Sequence, residues 1–387
     1  MKNELVLHEK ILLGLNWLLH SGIQELKPND IKGGFNAWYD KDKEKYSFTY
    51  SEITGYALNL LVNLENNYPV KGISKCIDLS TNYLSNIAFD RKYNAVKCRF
   101  DKETGWLNNY CTFDNLIIAN ALLNRYRLDG HKKAFYTAEK ILDTISNKLT
   151  FHNGVYARFI SDLEIYQNEE IKWSTQWGPF LAKLAIPFLN IYDLTNNNKY
   201  KDYTVKILDL IIPMQQDSGR FLTDKKTEST FLHPHFYATE GFLLAAIYLK
   251  DNKYWEVVNN SLKWTESLQM ENGGIASFVD NDSKKIMLDS PDINSQYLKC
   301  VLLSKNNKKD NIILQKIINR ILSFQVNDIN DRKSHGGFSA GKIWFYDPSE
   351  NKQKSSKNHI NTWVTIFSLD SLMLTYQGSK LNPFFLC

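Results

Sequence analysis

The sequence predicts an all-α protein in which six inner helices, ringed by six outer ones, form a closed (α/α)6 toroid with short β-hairpins in its loops. Three observations predict this fold. An apolar helical segment recurs about every 62 residues, a glycine turn precedes each recurrence, and an amphipathic helix precedes each turn. Each repeat is therefore a helical hairpin that can bury its apolar helix only when neighbouring repeats pack beside it.

The apolar segments predict the inner helices. They begin with polar or aromatic residues and span 50–64, 110–123, 173–189, 233–249, 290–303 and 357–374. One polar residue ahead of each apolar run marks the repeat, and these markers are Glu52, Asp114, Gln176, Glu240, Gln296 and Asn361. Successive markers are separated by 62, 62, 64, 56 and 65 residues. Because the segments are apolar around nearly their whole circumference, we expect them to be buried.

A glycine turn follows each outer helix. The turns contain Gly33, Gly105, Gly154, Gly219, Gly273 and Gly336, and a hydrophobic residue follows each within two positions. Glycine suits such turns because it adopts positive φ without strain. The segments before the turns carry apolar residues at helical spacing on one face, so we expect outer helices with one solvated face. Three of these helices end in glutamine, at Gln216, Gln269 and Gln325.

The repeats predict one domain over residues 1–387, although a chain of 387 residues often divides into two or three. No linker rich in proline, glycine or serine separates the repeats. An open solenoid is the structural alternative, and it would need polar terminal repeats as caps. Neither terminal repeat is polar, which favours a closed ring.

Composition and charge exclude several classes of function. The 47 Lys and Arg residues exceed the 42 Asp and Glu residues by only 5, and no element carries a basic stripe, so we expect no nucleic-acid partner. No stretch approaches 18 uncharged apolar residues and the first residues lack a signal-like apolar run, so we expect no membrane span and a cytoplasmic protein. Oligomeric state stays open.

Five cysteines lack the paired spacing of zinc sites or disulfide frameworks: Cys76, Cys98, Cys111, Cys300 and Cys387. The pattern His233-Pro234-His235 has a form that can bind metal, but no carboxylate or cysteine stands near it at ligand spacing. We therefore expect no metal and no cofactor.

The starts of parallel inner helices would meet at one mouth of the toroid, where their unpaired N–H groups favour anionic and oxygen-rich ligands. Aromatic rings there would stack on sugar C–H surfaces, so a sugar or uronic acid is the expected partner. The candidate substrate-binding residues are Trp38, Tyr50, Trp106, Arg158, Trp173, Gln176, His233, Asp292, Asn294, Gln296, His335, Asn361 and Trp363. Core packing is the alternative for Trp106. The segment 342–357 is either a lid over the mouth or a surface loop.

Carboxyl and imidazole groups near the helix starts are candidates for acid/base catalysis. They are Glu52, Asp114, His235, Glu240 and His359. Acidic residues in a first helical turn also act as caps or interact with the helix dipole, which is the alternative for the three carboxylates.

Four local matches resemble known carbohydrate-active toroids. YSEITGYALNLL (50–61) resembles toroid proteins encoded among bacterial surface-polysaccharide genes. TFDNLIIANALL (112–123) is similar to the Asp-led inner helix of unsaturated glucuronyl hydrolases, which implies an acid/base role for Asp114. HPHFYATEGFLLAAIYL (233–249) resembles a segment of N-acylglucosamine 2-epimerases, which implies roles for His235 and Glu240. The local sequence with the pair Gln176-Trp177 is similar to the sequences of uronyl C5-epimerases.

The resemblance covers nearly the whole chain at the level of the fold, and it has departures. The epimerase motif has a glycine between proline and histidine, whereas Pro234 and His235 are adjacent here. The DxDD and DCTAE motifs of terpene cyclases are absent, and the zinc set of protein prenyltransferases lacks its cysteine.

The sequence leaves two reactions open in cytoplasmic glycan biosynthesis. A sugar epimerase or isomerase needs two acid/base groups on opposite faces of one carbon, for which His235 and His359 are candidates. A glycoside hydrolase or lyase acting on a uronate-containing oligosaccharide would pair Asp114 with Glu52 or Glu240. A glycan-binding toroid without activity and a terpenoid cyclase or prenyltransferase are the remaining alternatives.

Overall fold

The computed structural model describes residues 2–65, 70–107, 109–160, 164–165, 173–224, 226–280, 285–286, 289–304, 311–341, 344–347, 352–355, 358–378 and 382–385. Twelve α-helices alternate between outer and inner positions in this part of the chain, which confirms the toroid. In chain order they are α1 (Lys2–His20), α2 (Ser51–Glu65), α3 (Ile73–Asn82), α4 (Thr112–Asp129), α5 (Lys132–Lys148), α6 (Ala185–Thr195), α7 (Asn198–Ile211), α8 (Leu232–Leu249), α9 (Asn252–Glu266), α10 (Pro291–Leu303), α11 (Asn311–Leu322) and α12 (Thr362–Gln377). The even-numbered helices are the inner ones, and most of their residues are buried.

Short antiparallel strands link neighbouring repeats around the mouth. They are β1 (Trp38–Asp40), β2 (Lys45–Tyr46), β3 (Thr49–Tyr50), β4 (Phe89–Asp90), β5 (Ala95–Val96), β6 (Arg99–Asp101), β7 (Gly105–Trp106), β8 (Asn109–Cys111), β9 (Thr150–Phe151), β10 (Gly154–Val155), β11 (Arg158–Ile160), β12 (Glu164–Ile165), β13 (Thr230–Phe231), β14 (Phe278–Val279), β15 (Lys285–Ile286), β16 (Trp344–Asp347), β17 (Lys352–Ser355) and β18 (His359–Asn361). The strand before an inner helix pairs with a strand of the next repeat, as in β3–β6, β8–β11 and β13–β14.

The first and last repeats close the ring. Strand β18 pairs with β1, with Trp38 opposite Asn361 and Asp40 opposite His359. Helix α12 packs against both α1 and α2. The chain is therefore a closed toroid, and the open solenoid is wrong. Nothing in the structure tests the further prediction of one domain over residues 1–387.

The glycine turns take the predicted conformation in four repeats. Gly33, Gly219, Gly273 and Gly336 all have positive φ, between 88° and 96°. A Cβ atom on Gly33 would lie 2.1 Å from the carbonyl oxygen of Leu79, so the close approach of α3 also requires glycine there.

The second and third repeats differ from the prediction. Asn94, with φ of 52°, occupies the turn position of the second repeat, whereas Gly105 lies in the hairpin of β6 and β7. The predicted inner helix 173–189 is interrupted, because 3₁₀ turns at Trp173–Thr175 and Pro179–Leu184 precede α6. The prediction that Gln176 begins an inner helix is therefore wrong. The 3₁₀ turn at 179–184 packs closely on Gly241 of α8, where a Cβ would lie 2.1 Å from the Ala182 carbonyl oxygen.

Side chains at equivalent positions of five repeats support the turn. The backbone N–H two residues after the turn position donates to a side chain of the inner helix, at distances of 2.7 to 3.3 Å. We call these acceptors the anchor residues, and they are Thr54, Asn115, His235, Asn294 and Thr365.

A glutamine side chain supports the turn from the other side by donating to its carbonyl. The four glutamines are Gln24, Gln215, Gln269 and Gln325. Two of them, Gln269 and Gln325, are among the glutamines that the sequence places before the glycine turns, whereas the third of those, Gln216, follows the supporting Gln215 by one residue.

Residues 382–385 close the toroid at the end opposite the mouth. The backbone carbonyl of Phe384 accepts from Asn120 at 2.9 Å and from Asn124 at 2.8 Å, and that of Phe385 accepts from Asn59 at 3.0 Å. Asn190 joins the cluster by donating to Asn120 at 2.8 Å. This segment therefore ties α2, α4 and α6 together across the base.

None of the helices described is both long enough and apolar enough to cross a lipid bilayer. In the segment 342–357, strands β16 and β17 form a hairpin, and the remaining residues of that segment lie outside the described part. The structure therefore does not decide between a lid and a surface loop.

Candidate functional site

The anchor residues identify which side chains line the interior of the toroid. Each anchor faces outward to its turn. The residues two positions before it, two positions after it and five positions after it point about 140–160° away from it around the helix axis. These positions therefore face the axis. Two residues before the anchor lies a mouth layer, Glu52, Phe113, His233, Asp292 and Trp363. Two residues after it lies a middle layer, Tyr56, Ile117, Tyr237, Gln296 and Phe367. Five residues after it lies a base layer, Asn59, Asn120, Glu240, Lys299 and Asp370.

Contacts across the axis agree with this layering. The rings of Tyr56 and Phe367 lie 5.0 Å apart, and those of Phe113 and Tyr237 lie 4.5 Å apart. The ring of His233 lies 5.8 Å from that of Phe367. The interior is therefore filled below the mouth and polar at its entrance.

A buried network of charges forms the base layer. Glu240 pairs with Lys183 at 2.8 Å and with Lys299 at 3.0 Å, and Lys299 also pairs with Asp370 at 3.2 Å. Burial raises the pKa of Glu240, but the two ammonium groups outweigh burial and hold it below its ordinary value. Glu240 is therefore an ionised partner of two lysines inside the protein. Its predicted place at the mouth is wrong, because it lies more than two turns into α8.

One side of the mouth carries acidic groups from the first two repeats. Tyr50, at the end of β3, lies beside both carboxyls, and its hydroxyl opposes the rise in the pKa of Glu52 and of Asp114. Burial raises the pKa of Glu52, and the Tyr50 hydrogen bond and the charges of His233 and Lys183 oppose that rise only in part.

Asp114 lies beside the thiols of Cys98 and Cys111. Its side chain is 4% exposed, and its Oδ2 atom has no hydrogen-bond partner among the described residues. Burial, followed by the charges of Cys98 and Glu52, holds the pKa of Asp114 well above its ordinary value. Asp114 precedes its anchor by one residue, so it points sideways toward α2 and shares one acidic cluster with Glu52.

The opposite side of the mouth carries an imidazole held by a carboxylate. His233 Nδ1 lies 3.0 Å from Asp292 Oδ2 and 2.8 Å from Gln296 Oε1, and its Nε2 lies 2.5 Å from the Tyr237 hydroxyl. Burial raises the pKa of Asp292, but the His233 hydrogen bond and charge outweigh it and lower the pKa. Burial also raises the pKa of Tyr237 well above its ordinary value. An ionised Asp292 therefore accepts from Nδ1–H, and the Tyr237 hydroxyl donates to Nε2.

Strand residues at equivalent register positions surround the mouth. Arg99 lies opposite Tyr50, Arg158 opposite Cys111, Phe278 opposite Phe231, and Trp38 opposite Asn361. The rim is therefore cationic beside the acidic cluster and aromatic elsewhere. Arg99 was not predicted from the sequence, although Arg99 has the same place in its repeat as Arg158.

Two predicted residues lie in the wall of the toroid instead of at the mouth, because both are anchor residues. His235 is fully buried, accepts from the Phe221 N–H at Nδ1 and donates through Nε2 to Ser261 Oγ at 2.8 Å. Burial and the nearby charge of Arg220 lower the pKa of His235 to about 3. Asn294 accepts from the Ile275 N–H at 2.8 Å. Their predicted placement at the mouth is therefore wrong.

Three other predicted residues lie at the edge of the toroid. Asn361 caps α12 by accepting from the Val364 N–H and is 1% exposed, so the structure gives it a capping role, and its contact with substrate stays a prediction. His335 lies in the turn before Gly336, which packs on α1. The ring of His359 stacks on that of Trp38 at 5.0 Å on the rim. Burial outweighs the nearby Asp40 and lowers the pKa of His359. The structure therefore does not bring His235 and His359 together as an acid/base pair.

The remaining predicted residues lie in or near the mouth. The ring of Trp106 packs 5.5 Å from that of Phe100, in agreement with the alternative of packing. Trp173 and Gln176 line a small groove with Trp177 and Phe180. Trp363 belongs to the mouth layer and is partly exposed.

Solved structures with the same fold are carbohydrate-active (α/α)6 toroids. The chain is similar to cellobiose 2-epimerase from Bacillus thermoamylovorans B4167, with a TM-score of 0.74 and 14% identity over 96% of this chain and 100% of that one. A D-mannose isomerase has a TM-score of 0.74 and 12% identity, over 96% of this chain and 97% of that one. An unsaturated glucuronyl hydrolase from Streptococcus agalactiae has a TM-score of 0.67 and 12% identity, over 98% and 93% of the two chains.

No protein-family model and no curated protein matches the sequence. The fold-level resemblance to epimerase and glucuronyl hydrolase toroids is confirmed, and at these identities the similarity establishes the fold alone.

Proposed function

We propose that the protein is a sugar epimerase or isomerase that moves a proton between the two faces of a sugar carbon. One observation carries this proposal: His233, held by Asp292, and the carboxyl of Glu52 belong to the same mouth layer on different helices. His233 lies in the first turn of α8 and Glu52 in the first turn of α2, so the two side chains reach the mouth from different helices. Two acid/base groups directed at one site from different sides meet the chemical requirement of epimerisation.

His233 would act as the base and Glu52 as the acid. When the bound sugar displaces the Tyr237 hydroxyl from it, the Nε2 atom of neutral His233 takes the proton from the carbon beside the sugar carbonyl, and Asp292 stabilises the imidazolium that forms. Glu52, whose raised pKa favours the protonated form, returns a proton to the opposite face of that carbon. The two residues then regain their starting states by proton exchange with solvent.

The rim supports a sugar or uronic acid as the substrate. The guanidinium groups of Arg99 and Arg158 can bind a carboxylate or a pair of hydroxyls through parallel N–H donors. Trp38, Trp173 and Trp363 offer apolar faces to the C–H surface of a sugar ring. The likeness of the fold to sugar epimerases and isomerases adds to this proposal.

Hydrogen exchange from the solvent tests the proposal. The purified protein is incubated in D₂O with free sugars, nucleotide sugars and uronate oligomers, and deuterium at sugar carbons is measured by NMR. We expect deuterium at one carbon of the substrate, with exchange reduced at least about 100-fold in His233→Asn and in Glu52→Gln.

A matched control is His152→Gln, since His152 lies in the turn between β9 and β10 and is exposed. It should exchange deuterium at the wild-type rate. The proposal would be wrong if no sugar of the panel gains deuterium, or if His233→Asn retains the full rate.

Glycoside hydrolysis is the second candidate, and a different observation favours it. Glu52 and Asp114 contribute two carboxyls to one side of the mouth, and the proton-retaining Asp114 has the state of a general acid. Release of reducing ends without deuterium at carbon would support this candidate over epimerisation. Binding of a sugar with neither reaction would instead indicate a glycan-binding toroid.

A further inference from the structure

We infer that Cys98, Cys111 and Asp114 form a binding site for a thiophilic divalent cation of the zinc class. The two Sγ atoms and a carboxylate oxygen of Asp114 lie within 4.8 Å of one another. In a tetrahedral zinc site the Zn–S bond of about 2.3 Å sets the S–S separation at about 3.8 Å. Side-chain rotations alone can therefore bring these three atoms to ligand distances.

Rigid elements hold the three residues in place. The Cys98 N–H donates to the Asn109 carbonyl at 2.9 Å, which fixes Cys98 beside β8. Cys111 ends β8, and Asp114 lies in the first turn of α4. The cluster is therefore formed by backbone pairing and a helix start, and it does not depend on a flexible loop.

An independent observation points to a ligand at this cluster. Asp114 is 4% exposed, and its Oδ2 atom lacks a hydrogen-bond partner among the described residues. Leaving a buried carboxyl oxygen unpaired is costly, and a coordinated cation would satisfy it. Neither His233 nor Glu52 hydrogen-bonds to Asp114, so the proposed catalytic pair does not account for this open acceptor.

The charges around the cluster balance for a divalent cation. Two thiolates and one carboxylate exceed the charge of a divalent ion by one negative charge. The backbone of Arg158 lies opposite that of Cys111 in the sheet, which places a cationic residue next to the cluster.

Three protein ligands leave the fourth position of a zinc site for water or for a substrate oxygen. Here that position belongs to the same mouth as Glu52. When the cation is bound, Asp114 is an ionised ligand and cannot serve as the general acid of hydrolysis. The site is thus compatible with the proposed epimerase and excludes the second candidate function while it is occupied.

Cobalt binding tests the site without any activity measurement. The reduced, chelator-treated protein is titrated with Co²⁺ and followed by absorption spectroscopy. We expect one equivalent to produce a thiolate-to-cobalt band in the near ultraviolet and tetrahedral bands in the visible region. Cys98→Ala and Cys111→Ala should each lose these bands, and Asp114→Asn should weaken binding by more than about tenfold.

Cys76→Ala is the matched control, because Cys76 is also a buried free cysteine but lies on α3. It should bind Co²⁺ as the wild type does. In case the variants fold poorly, Zn²⁺ should also protect Cys98 and Cys111 of the wild-type protein from alkylation, as measured by peptide mass spectrometry.

Three results would overturn the inference. They are no thiolate-to-cobalt band in the wild type, the same band in Cys98→Ala, and equal alkylation of Cys98 and Cys111 with and without Zn²⁺. Loss of deuterium exchange would not bear on it, so failure of this site and failure of the proposed function are distinguishable.

Discussion

His235 occupies a repeat position that requires a hydrogen-bond acceptor, and this requirement explains its neutral state. Thr54, Asn115, Asn294 and Thr365 accept the same backbone N–H in other repeats. Histidine can serve there only while Nδ1 is unprotonated. Burial enforces that state, because a charged imidazole without solvent or a counter-ion would be costly.

We predict that His235 makes the fold sensitive to acid. Its pKa falls from 6.5 in the unfolded chain to about 3 in the folded protein, so the unfolded state takes up the proton first. Its contribution to stability is complete above pH 6.5 and falls as the pH drops toward 3. At pH 5 the loss is about 2 kcal/mol. Urea unfolding at pH 7 and pH 5 measures this difference.

The variant His235→Asn provides the control for this prediction, because asparagine serves as the anchor in two other repeats. It should be less stable at pH 7 but should lose about 2 kcal/mol less than the wild type between pH 7 and pH 5. Equal losses in the two proteins would mean that other groups cause the acid sensitivity.

The recurring elements explain which site residues could be predicted from the sequence. Glu52 and His233 lie at the mouth because each begins an inner helix, and the repeat spacing locates those starts. His235 and Asn294 each lie three residues after the start of an inner helix, α8 and α10. The sequence does not show which face of such a helix points toward the axis. Hydrogen bonds to the glycine turns reveal that face.

The elements that could not be predicted depend on contacts between repeats. Cys98 and Cys111 are separated by 13 positions and follow no metal-ligand spacing, yet the pairing of the Cys98 segment with β8 places them together. The interrupted third inner helix is also invisible in the hydrophobic pattern, because residues 179–184 remain buried in a 3₁₀ turn.

We predict that Gly336→Ala is more destabilising than Gly130→Ala, although both glycines have positive φ. A Cβ on Gly336 would lie 2.4 Å from the Leu13 carbonyl oxygen, whereas nothing lies within 4 Å of a Cβ on Gly130. Gly130→Ala should cost about 1 kcal/mol for the backbone conformation alone. Gly336→Ala should cost at least about 2 kcal/mol more, since α1 must move.

Denaturant unfolding of the two variants measures this difference. Similar losses of stability in both would show that α1 adjusts to the added methyl group and that the close approach imposes no constraint.

At the scale of the molecule, the ring could be predicted because its evidence is periodic and repeated six times. The reaction could not be predicted, because it depends on the few positions at which each repeat differs from the other repeats. The mouth layer holds a carboxyl, a phenyl, an imidazole, another carboxyl and an indole at equivalent positions. This divergence within a regular frame is typical of a site built on a repeat scaffold.

We predict that the charged base is essential for holding the toroid together. Glu240→Gln would remove the carboxylate that pairs with both Lys183 and Lys299, whose side chains are buried, and would leave the pair of Lys299 with Asp370. Breaking a buried ion pair from one side costs about 3–5 kcal/mol. Equilibrium unfolding in urea measures the loss.

The exposed pair of Lys253 and Asp209 is the matched control, since their side chains are 41% and 48% exposed. Lys253→Met should change stability by less than about 1 kcal/mol. A loss below that value in Glu240→Gln would contradict a structural role for the base layer.

The plug of residues 382–385 has a consequence for how a substrate can travel. The asparagine cluster and the ion pairs of Glu240 close the toroid at the end opposite the mouth, which leaves the mouth as the entrance. A polymer could not pass through the toroid from one end to the other, so under the proposed function a sugar would enter and leave at the mouth.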